Sequence, residues 1–338
     1  MAGGNGTAVK ERGATGADPA VSVVVVNYNA GRELVECLET VHAQRFPRNV
    51  ETIVVDNAST DNSLLLAQDR FGAMRVIENR ANRGFAAAFN QGVRATTGAY
   101  VLCLNFDVRL DPEFILEAVR AMESDPNVGS VSGKLLKYRT EDHAVLDSAG
   151  ITFYQMFPSD RGENKKDVGQ YDRPEPVFGA SGAAALYRRE MLDDVKVGDE
   201  VFDEDFFQFI EDVDLAWRAQ RAGWTCLYAP RATAVHLRGA TRRESKALRD
   251  QYHVLGYRNR YLTIVKNLDR AIFKAHRGAI RRAETRNFGR VWSRYGARVA
   301  LGSVWGALRL YRAMKVKRAA ARDKVRAESV AIERYLYV

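Results

Sequence analysis

The chain has 338 residues, 46% hydrophobic and 28% charged, an ordinary globular composition long enough for one large domain or two smaller ones with a proper core. It has no apolar run of roughly 18 residues to suggest a membrane span, and residues 1–19, rich in Gly, Ala and Thr, lack the apolar segment of a secretory signal and read as a disordered tail. The net charge of +9 hides a split: residues 241–338 hold 25 Lys/Arg against 7 Asp/Glu, while the remainder holds 26 against 35, which suggests one part for chemistry and one that seeks an anionic surface.

Residues 21–26 form a continuous β-branched run, the signature of a strand buried on both faces. Residues 31–43 follow as a helix with Leu34, Leu38 and Val41 on one stripe. Strands over 51–55, 75–77 and 99–104 then alternate with helices over 61–70 and 85–95, and Pro112 suits the first turn of a helix reaching Glu123. This alternation predicts an α/β fold, a parallel sheet with helices on both faces. Cys37, Cys103 and Cys226 have neither paired nor metal-ligand spacing and are expected to be reduced core residues of a cytoplasmic chain.

Ligands of such sheets bind outside the carboxyl ends of the strands. Four polar clusters follow strands here: Asn27-Tyr28-Asn29, the run from Asp56 to Asp61, the run from Asn79 to Gly84, and Asn105-Phe106-Asp107. One cluster is explained by capping alone; four in register suggest one site. The first turn lacks G-x-G-x-x-G spacing and no G-x-x-x-x-G-K-[ST] loop occurs, which disfavours a dehydrogenase or a P-loop enzyme.

Those clusters, with Phe209-Ile210-Glu211-Asp212-Val213-Asp214-Leu215-Ala216-Trp217-Arg218 and Gly223-Trp224 downstream, resemble the family 2 glycosyltransferases over roughly residues 21 to 240, and within them the rhamnosyltransferase-like enzymes of bacterial polysaccharide assembly. The resemblance implies a GT-A (Rossmann-like) fold and transfer of a sugar, L-rhamnose being one option, from a dTDP- or UDP-sugar to a saccharide or polyprenyl-linked saccharide. It implies that Asp56 accepts a hydrogen bond from a pyrimidine imide, with Asn27 and Asn29 beside it; the alternative for Asp56 is a turn cap. Asn79, Arg80, Asn82 and Gly84 form a third cluster, in which Arg80 would reach a phosphate and Gly84 would let the backbone come close, unless they are only a helix cap and a solvated Arg.

The family's Asp-x-Asp reads Asn105-Phe106-Asp107 here, so Asp107 is the main acidic ligand of an expected Mg2+ or Mn2+ ion, His236 its second ligand, and Asn105 a contact to ribose or sugar. The subgroup often carries Asn-Pro-Asp; Phe106 departs from it. Asp212 occupies the position of the catalytic base, at the start of a helix with Arg218 and Arg221 at its outer parts. Glu211 and Asp214, with Ser181 and Gly182 of the small-residue loop at 179–183, would form the acceptor and sugar pocket. A short strand is expected at 225–228, and the polar stretch 137–176 reads as a mobile acceptor loop.

The chain thus divides into the tail, a nucleotide-sugar part (20–125), an acceptor and base part (126–240) and a basic helical region (241–338). That last region contains Tyr257-Arg258-Asn259-Arg260-Tyr261-Leu262, which resembles a recurring feature of these transferases. Its aromatics lie among arginines, which suits an anionic membrane surface on the cytoplasmic face; packing against the catalytic part, or homo-oligomer formation, is the alternative, and no nucleic-acid module accompanies the charge. A sugar-nucleotidyltransferase would need a Gly- and Lys/Arg-rich phosphate loop that residues 27–31 do not supply, and a non-catalytic sugar-nucleotide binder is favoured only by Asn105.

Overall fold

The computed structural model describes residues 20–72, 74–139, 144–154, 156–238 and 245–336, so the tail expected over 1–19 lies outside the described residues. The first half runs β1 (Val21–Asn27), α1 (Glu33–His42), β2 (Val50–Asp56), α2 (Ser63–Phe71), β3 (Arg75–Glu78), α3 (Phe85–Arg94), β4 (Tyr100–Asn105), β5 (Val108–Leu110) and α4 (Phe114–Glu123). Every residue of β1 is buried. The strand's period of two divides it between two layers. Val21, Val23 and Val25 pack with Leu34, Leu38 and Val41 of α1. Val24 and Val26 pack on the other face with Ala86, Phe89 and Val93 of α3.

The second half runs β6 (Val128–Arg139), β7 (Ala144–Ser148), β8 (Ile151–Tyr154), β9 (Phe157–Asp160), β10 (Glu175–Val177), β11 (Ala184–Arg188), α5 (Arg189–Val195), α6 (Glu211–Arg221) and β12 (Thr225–His236). The main sheet has ten strands in the order β10-β12-β6-β11-β4-β1-β2-β3, with β5 on β12 and β7 on β6. Only part of it is parallel, which corrects the expectation of a parallel sheet. β4-β1-β2-β3 is parallel throughout, whereas β11 runs antiparallel to both β4 and β6. Strands from both halves therefore belong to one sheet.

Two further expectations are corrected. The strand expected over 225–228 continues to His236; it passes an irregularity between Ala229 and Thr233, where Pro230 lacks the N–H that regular pairing needs. The stretch 137–176 is not a loop but contains β7 to β10. Its apolar residues are few but well placed: Leu146, Ile151, Phe153 and Met156 are buried, and Phe153 meets Phe178 and Trp217 edge-on at 4.8 and 5.6 Å.

The basic region forms α7 (Lys246–Asn267), α8 (Arg270–Tyr295), α9 (Ala297–Ala320) and α10 (Ser329–Leu336). It packs on the rest of the chain: Leu262 and Met314 bury against Phe206, and Ile332 and Leu336 join the cluster of Phe178 and Trp217. Among the described residues no helix is long and apolar enough to cross a membrane. All three cysteines are free and buried.

Candidate active site

The carboxyl ends of β1, β2 and β4 open on a cavity of about 500 Å3. On the first side Tyr28, Asn29, Asn57, Asn82 and Phe85 line it. Asn57 organises this wall. Its Oδ1 accepts from the Arg83 N–H at 3.0 Å and from Asn79 Nδ2 at 3.2 Å, and its Nδ2 donates to Asn82 Oδ1 at 2.9 Å. Asn29 Oδ1 accepts from the Thr60 N–H at 2.8 Å, which joins the turns after β1 and β2.

Several residues assigned to the donor stand behind this wall rather than in it. Asn27 is fully buried and donates to Asp56 at 2.7 Å and to Ser63 at 2.9 Å. Asp56 accepts that bond and one from the Ser59 N–H at 3.1 Å, so it also caps its turn. Asn79 exchanges hydrogen bonds with Gln91. None of the three is among the lining residues, nor is Arg80, which is exposed. Gly84 serves a different close approach from the one expected: it has φ +83°, and a Cβ there would fall 2.5 Å from the Phe207 carbonyl oxygen.

At the centre lie Asn105, Phe106 and Asp107. Asp107 precedes β5, and β5 pairs antiparallel with the end of β12, opposite His236. This pairing brings His236 Nε2 to 3.3 Å from Asp107 Oδ1. Behind it, His236 Nδ1 lies 2.8 Å from Asp147 of β7, which is itself held by Arg238 Nε at 2.7 Å. Arg238 also donates to Asp160 of β9 at 2.7 Å. Burial disfavours a charged His236, but its hydrogen bonds to Asp107 and Asp147 outweigh this and raise its pKa to about 9.

The far wall carries the acidic motif. Asp212 is partly exposed at the start of α6; its Oδ2 accepts from the Gly182 N–H and its Oδ1 from the Val213 N–H, both at 2.8 Å. Burial raises the Asp212 pKa to about 6, with those N–H donors opposing and the Asp160 charge adding to the shift. Glu211 beside it is pushed up to about 8 by burial and by the Asp212 charge, and its Oε2 finds no hydrogen-bond partner. Ser181, Gly182, Glu211 and Asp212 all line the cavity.

Asp214 does not, and its place in the acceptor pocket is corrected. It is fully buried and bonded to Arg218, Lys266 and Asn267 at 2.9, 2.9 and 2.7 Å. Arg218 is likewise not on the outside of the helix: it is buried, and it also donates to the Val195 and Val201 carbonyls. The period of α6 places both on its inward face, where each neutralises the other.

Asp147, Asp160, Arg238, Asn57 and Tyr252 went unassigned in the sequence. For Arg238 the signal was its spacing of two from His236; for Asp147 and Asp160 the polarity of their segment concealed the strands that carry them. The ionisable lining residues are Asp107, Asp160, Glu211 and Asp212 against His236 and Arg238, with Glu211 held towards its neutral form. The carboxylates of Asp107, Asp160 and Asp212 repel an anionic diphosphate, and a cation that accompanies it offsets that repulsion. No group of three or more His, Cys, Asp or Glu side chains able to hold a metal occurs among the described residues. The carboxylate and imidazole of Asp107 and His236 do fit a divalent ion that takes its other ligands from phosphate oxygens and water.

Residues 22–196, slightly more than half of the chain, match the model of glycosyl transferase family 2. An N-acetylglucosaminyl-diphospho-decaprenol L-rhamnosyltransferase of Mycobacterium tuberculosis is 30% identical over 242 residues, which cover 63% of this chain and 75% of that protein. A poly-beta-1,6-N-acetyl-D-glucosamine synthase of Staphylococcus epidermidis is 23% identical over 218 residues, and the match spans 48% of its length. The fold is that of the mannosyltransferase PcManGT from Pyrobaculum calidifontis, solved with GDP-Man and Mn2+ (TM-score 0.51, 20% identity, 91% of this chain and 87% of that one). It is also that of S. aureus TarS 1-349 with UDP-GlcNAc (TM-score 0.54, 16% identity, 90% and 88%). The chain belongs to glycosyl transferase family 2 and is a glycosyltransferase with a GT-A fold.

Proposed function

We propose that the enzyme transfers a sugar with inversion from a pyrimidine nucleoside diphosphate to a hydroxyl of a saccharide or lipid-linked saccharide, in the assembly of a cell-surface polysaccharide. The observation that carries this reading is that the Asp107–His236 pair and the Asp212 carboxylate line one cavity. The likeness to a rhamnosyltransferase whose name specifies a diphospho-decaprenol acceptor supports L-rhamnose as the sugar and a polyprenyl-linked acceptor.

In this reading Asp212 takes the proton of the acceptor hydroxyl. The acceptor oxygen forms its bond to the anomeric carbon as the bond from that carbon to the diphosphate breaks, and the nucleoside diphosphate leaves with the bonding pair. The backbone N–H groups of Gly182 and Val213 fix the carboxylate. Glu211, protonated at neutral pH, offers an O–H to a sugar or acceptor oxygen. Asn29, Asn57 and Asn82 face the nucleotide, backed by Asp56, which fixes the turn after β2. Asp107 and His236 would hold Mg2+ or Mn2+, which when bound neutralises charge on the leaving diphosphate.

The test is transfer by the purified full chain from a set of dTDP- and UDP-sugars with Mg2+ or Mn2+, read as acceptor-dependent release of nucleoside diphosphate. Absence of release from every pyrimidine donor, with purine donors active, would overturn the donor assignment.

The basic helices support a place at an anionic membrane. α9 turns one face to α7 and leaves Leu301, Trp305 and Leu308 exposed on the other, among Arg298, Arg309, Arg312 and Lys315. Spacings of three and four put these on one stripe, apolar and basic together, as an interfacial helix requires. Pelleting with vesicles containing phosphatidylglycerol, and not with phosphatidylcholine alone, is the expected result; equal binding to both would count against it.

A further inference from the structure

The segment Tyr257-Arg258-Asn259-Arg260-Tyr261-Leu262 lies in α7, in the basic region, and takes no part in the chemistry above. Asn259 is fully buried and is not among the residues that line the cavity described above. Its Nδ2 lies 2.8 Å from each of three carbonyl oxygens, those of Phe206, Gln208 and Phe209, which share its two hydrogens. Its Oδ1 accepts from Arg258 Nε at 2.9 Å. The same guanidinium donates from Nη2 to the carbonyls of Asp205 at 2.9 Å and Phe206 at 2.8 Å. The Phe207 carbonyl accepts from the Ala86 N–H at 3.1 Å. Every carbonyl from Asp205 to Phe209 is thus tied down, and four of the five by two side chains of one helix.

The segment that they hold does not have an ordinary backbone. Phe207, Phe209 and Ile210 have φ of +65°, +70° and +70°. Such values are uncommon outside glycine and unfavourable for a β-branched Ile, so the surroundings must impose them. Ile210 is the residue from which α6 starts. The next two, Glu211 and Asp212, are the acidic pair of the cavity, and Gln208, Phe209 and Ile210 form part of its wall. A segment with these left-handed residues relaxes towards extended backbone once its carbonyl partners are gone, and this rotates the start of α6 and the carboxylate carried on it.

We propose that Asn259, assisted by Arg258, is a positioning residue that holds the 205–210 segment in its left-handed conformation and thereby aims Asp212 at the acceptor. The catalytic part of this proposal rests on the transferase reading; the structural part does not.

The experiment uses the full chain with Asn259→Asp, which keeps the shape and loses the donors, and Arg258→Lys, a milder change that keeps the charge and loses the fork. Thr263→Ala is the control: Thr263 is buried one turn along α7 and bonds only within the helix, to the Asn259 carbonyl. Two readouts are taken, donor kcat and KM, and amide hydrogen exchange over 205–212. Asn259→Asp is expected to lower kcat about 10- to 100-fold, as a small misalignment at a reacting centre does, with donor KM within about threefold. Exchange in 205–212 speeds up while the rest of the chain is unchanged. Arg258→Lys shifts both readouts the same way by less, and Thr263→Ala lowers the thermal midpoint without either effect. Wild-type exchange over 205–212 in both Asn259→Asp and Arg258→Lys, or a kcat loss matched by Thr263→Ala at equal loss of thermal midpoint, overturns the proposal. If the wild-type chain transfers no sugar, the functional reading fails and the exchange arm still decides this one.

Discussion

Replacing Asp212 with Asn separates chemistry from stability at one atom. The carboxylate accepts one backbone N–H on each oxygen. An amide keeps one of these bonds and turns its NH2 towards the other donor, a loss of about 1 kcal/mol. Against this stands the cost of an ionised carboxylate at that place. Its pKa rises from 3.8 to about 6, mainly through burial. Two units correspond to about 3 kcal/mol, and the partial exposure of the side chain reduces this to about 1–2 kcal/mol. The two effects nearly cancel, so the thermal midpoint at pH 7 is expected to stay within a few degrees of wild type, on the order of 1 kcal/mol. The rate has no such compensation: an amide takes no proton, and kcat falls about 10²- to 10⁴-fold. Initial rates of acceptor-dependent nucleoside diphosphate release, with calorimetry on the same sample, measure both. A variant that keeps more than about a tenth of the rate, well short of the loss expected for a missing base, refutes the base assignment.

The same carboxylate sets opposite pH trends. The wild-type rate is expected to fall as pH drops through about 6, where Asp212 becomes protonated; initial rates between about pH 5 and 8 check this. Stability from this group runs the other way. Its folded pKa lies above its unfolded one, so the native state holds the proton longer; the contribution is full below the unfolded value and is lost as pH rises through about 6. Asp212→Asn removes both trends.

Other outcomes follow from neighbouring contacts. Gly84→Ala places a methyl against the Phe207 carbonyl at a φ unsuited to alanine and is expected to cost about 1–3 kcal/mol in denaturant unfolding; a neutral result contradicts the contact. Asp147→Asn weakens the charged support behind His236, and Mn2+ affinity, titrated by electron paramagnetic resonance, should drop about 10- to 100-fold. Lys266→Met leaves Asp203 and Asp214 without a shared cation in a site where Lys266 is 1% exposed, at roughly 3–5 kcal/mol; a loss under about 1 kcal/mol shows that Lys317 and Arg218 suffice.

The early part of the fold was legible because its strands are valine runs whose burial needs no partner to be guessed. The β1 run, the stripe of α1 and the polar turn after each strand all follow from local pattern. What failed was everything set by distant partners. Asp214 and Asp212 are two residues apart and equally acidic in sequence. Beyond Arg218 one turn along, it is Lys266 and Asn267, more than 50 positions downstream, that make one a structural anchor and leave the other at the cavity. The stretch 137–176 was misread because its burial rests on a few side chains, Leu146, Phe153 and Met156, spaced widely among polar ones.

The ties from α7 and α9 to the segment before α6 also bear on how the chain matures. Asp203 is bonded to Lys266 and Lys317, 63 and 114 residues further on. A ribosome delivers the chain from its amino end and domains fold as they emerge, so the wall organised by Asn57 has all its residues long before Asp203 and the carbonyls of Asp205, Phe206, Gln208 and Phe209 have their partners on α7 and α9. A nascent chain halted near residue 245 therefore holds an acidic motif whose contacts with the Gly182 and Val213 N–H groups can already form, while the ties from Asn259, Lys266 and Lys317 to the segment before it are added last.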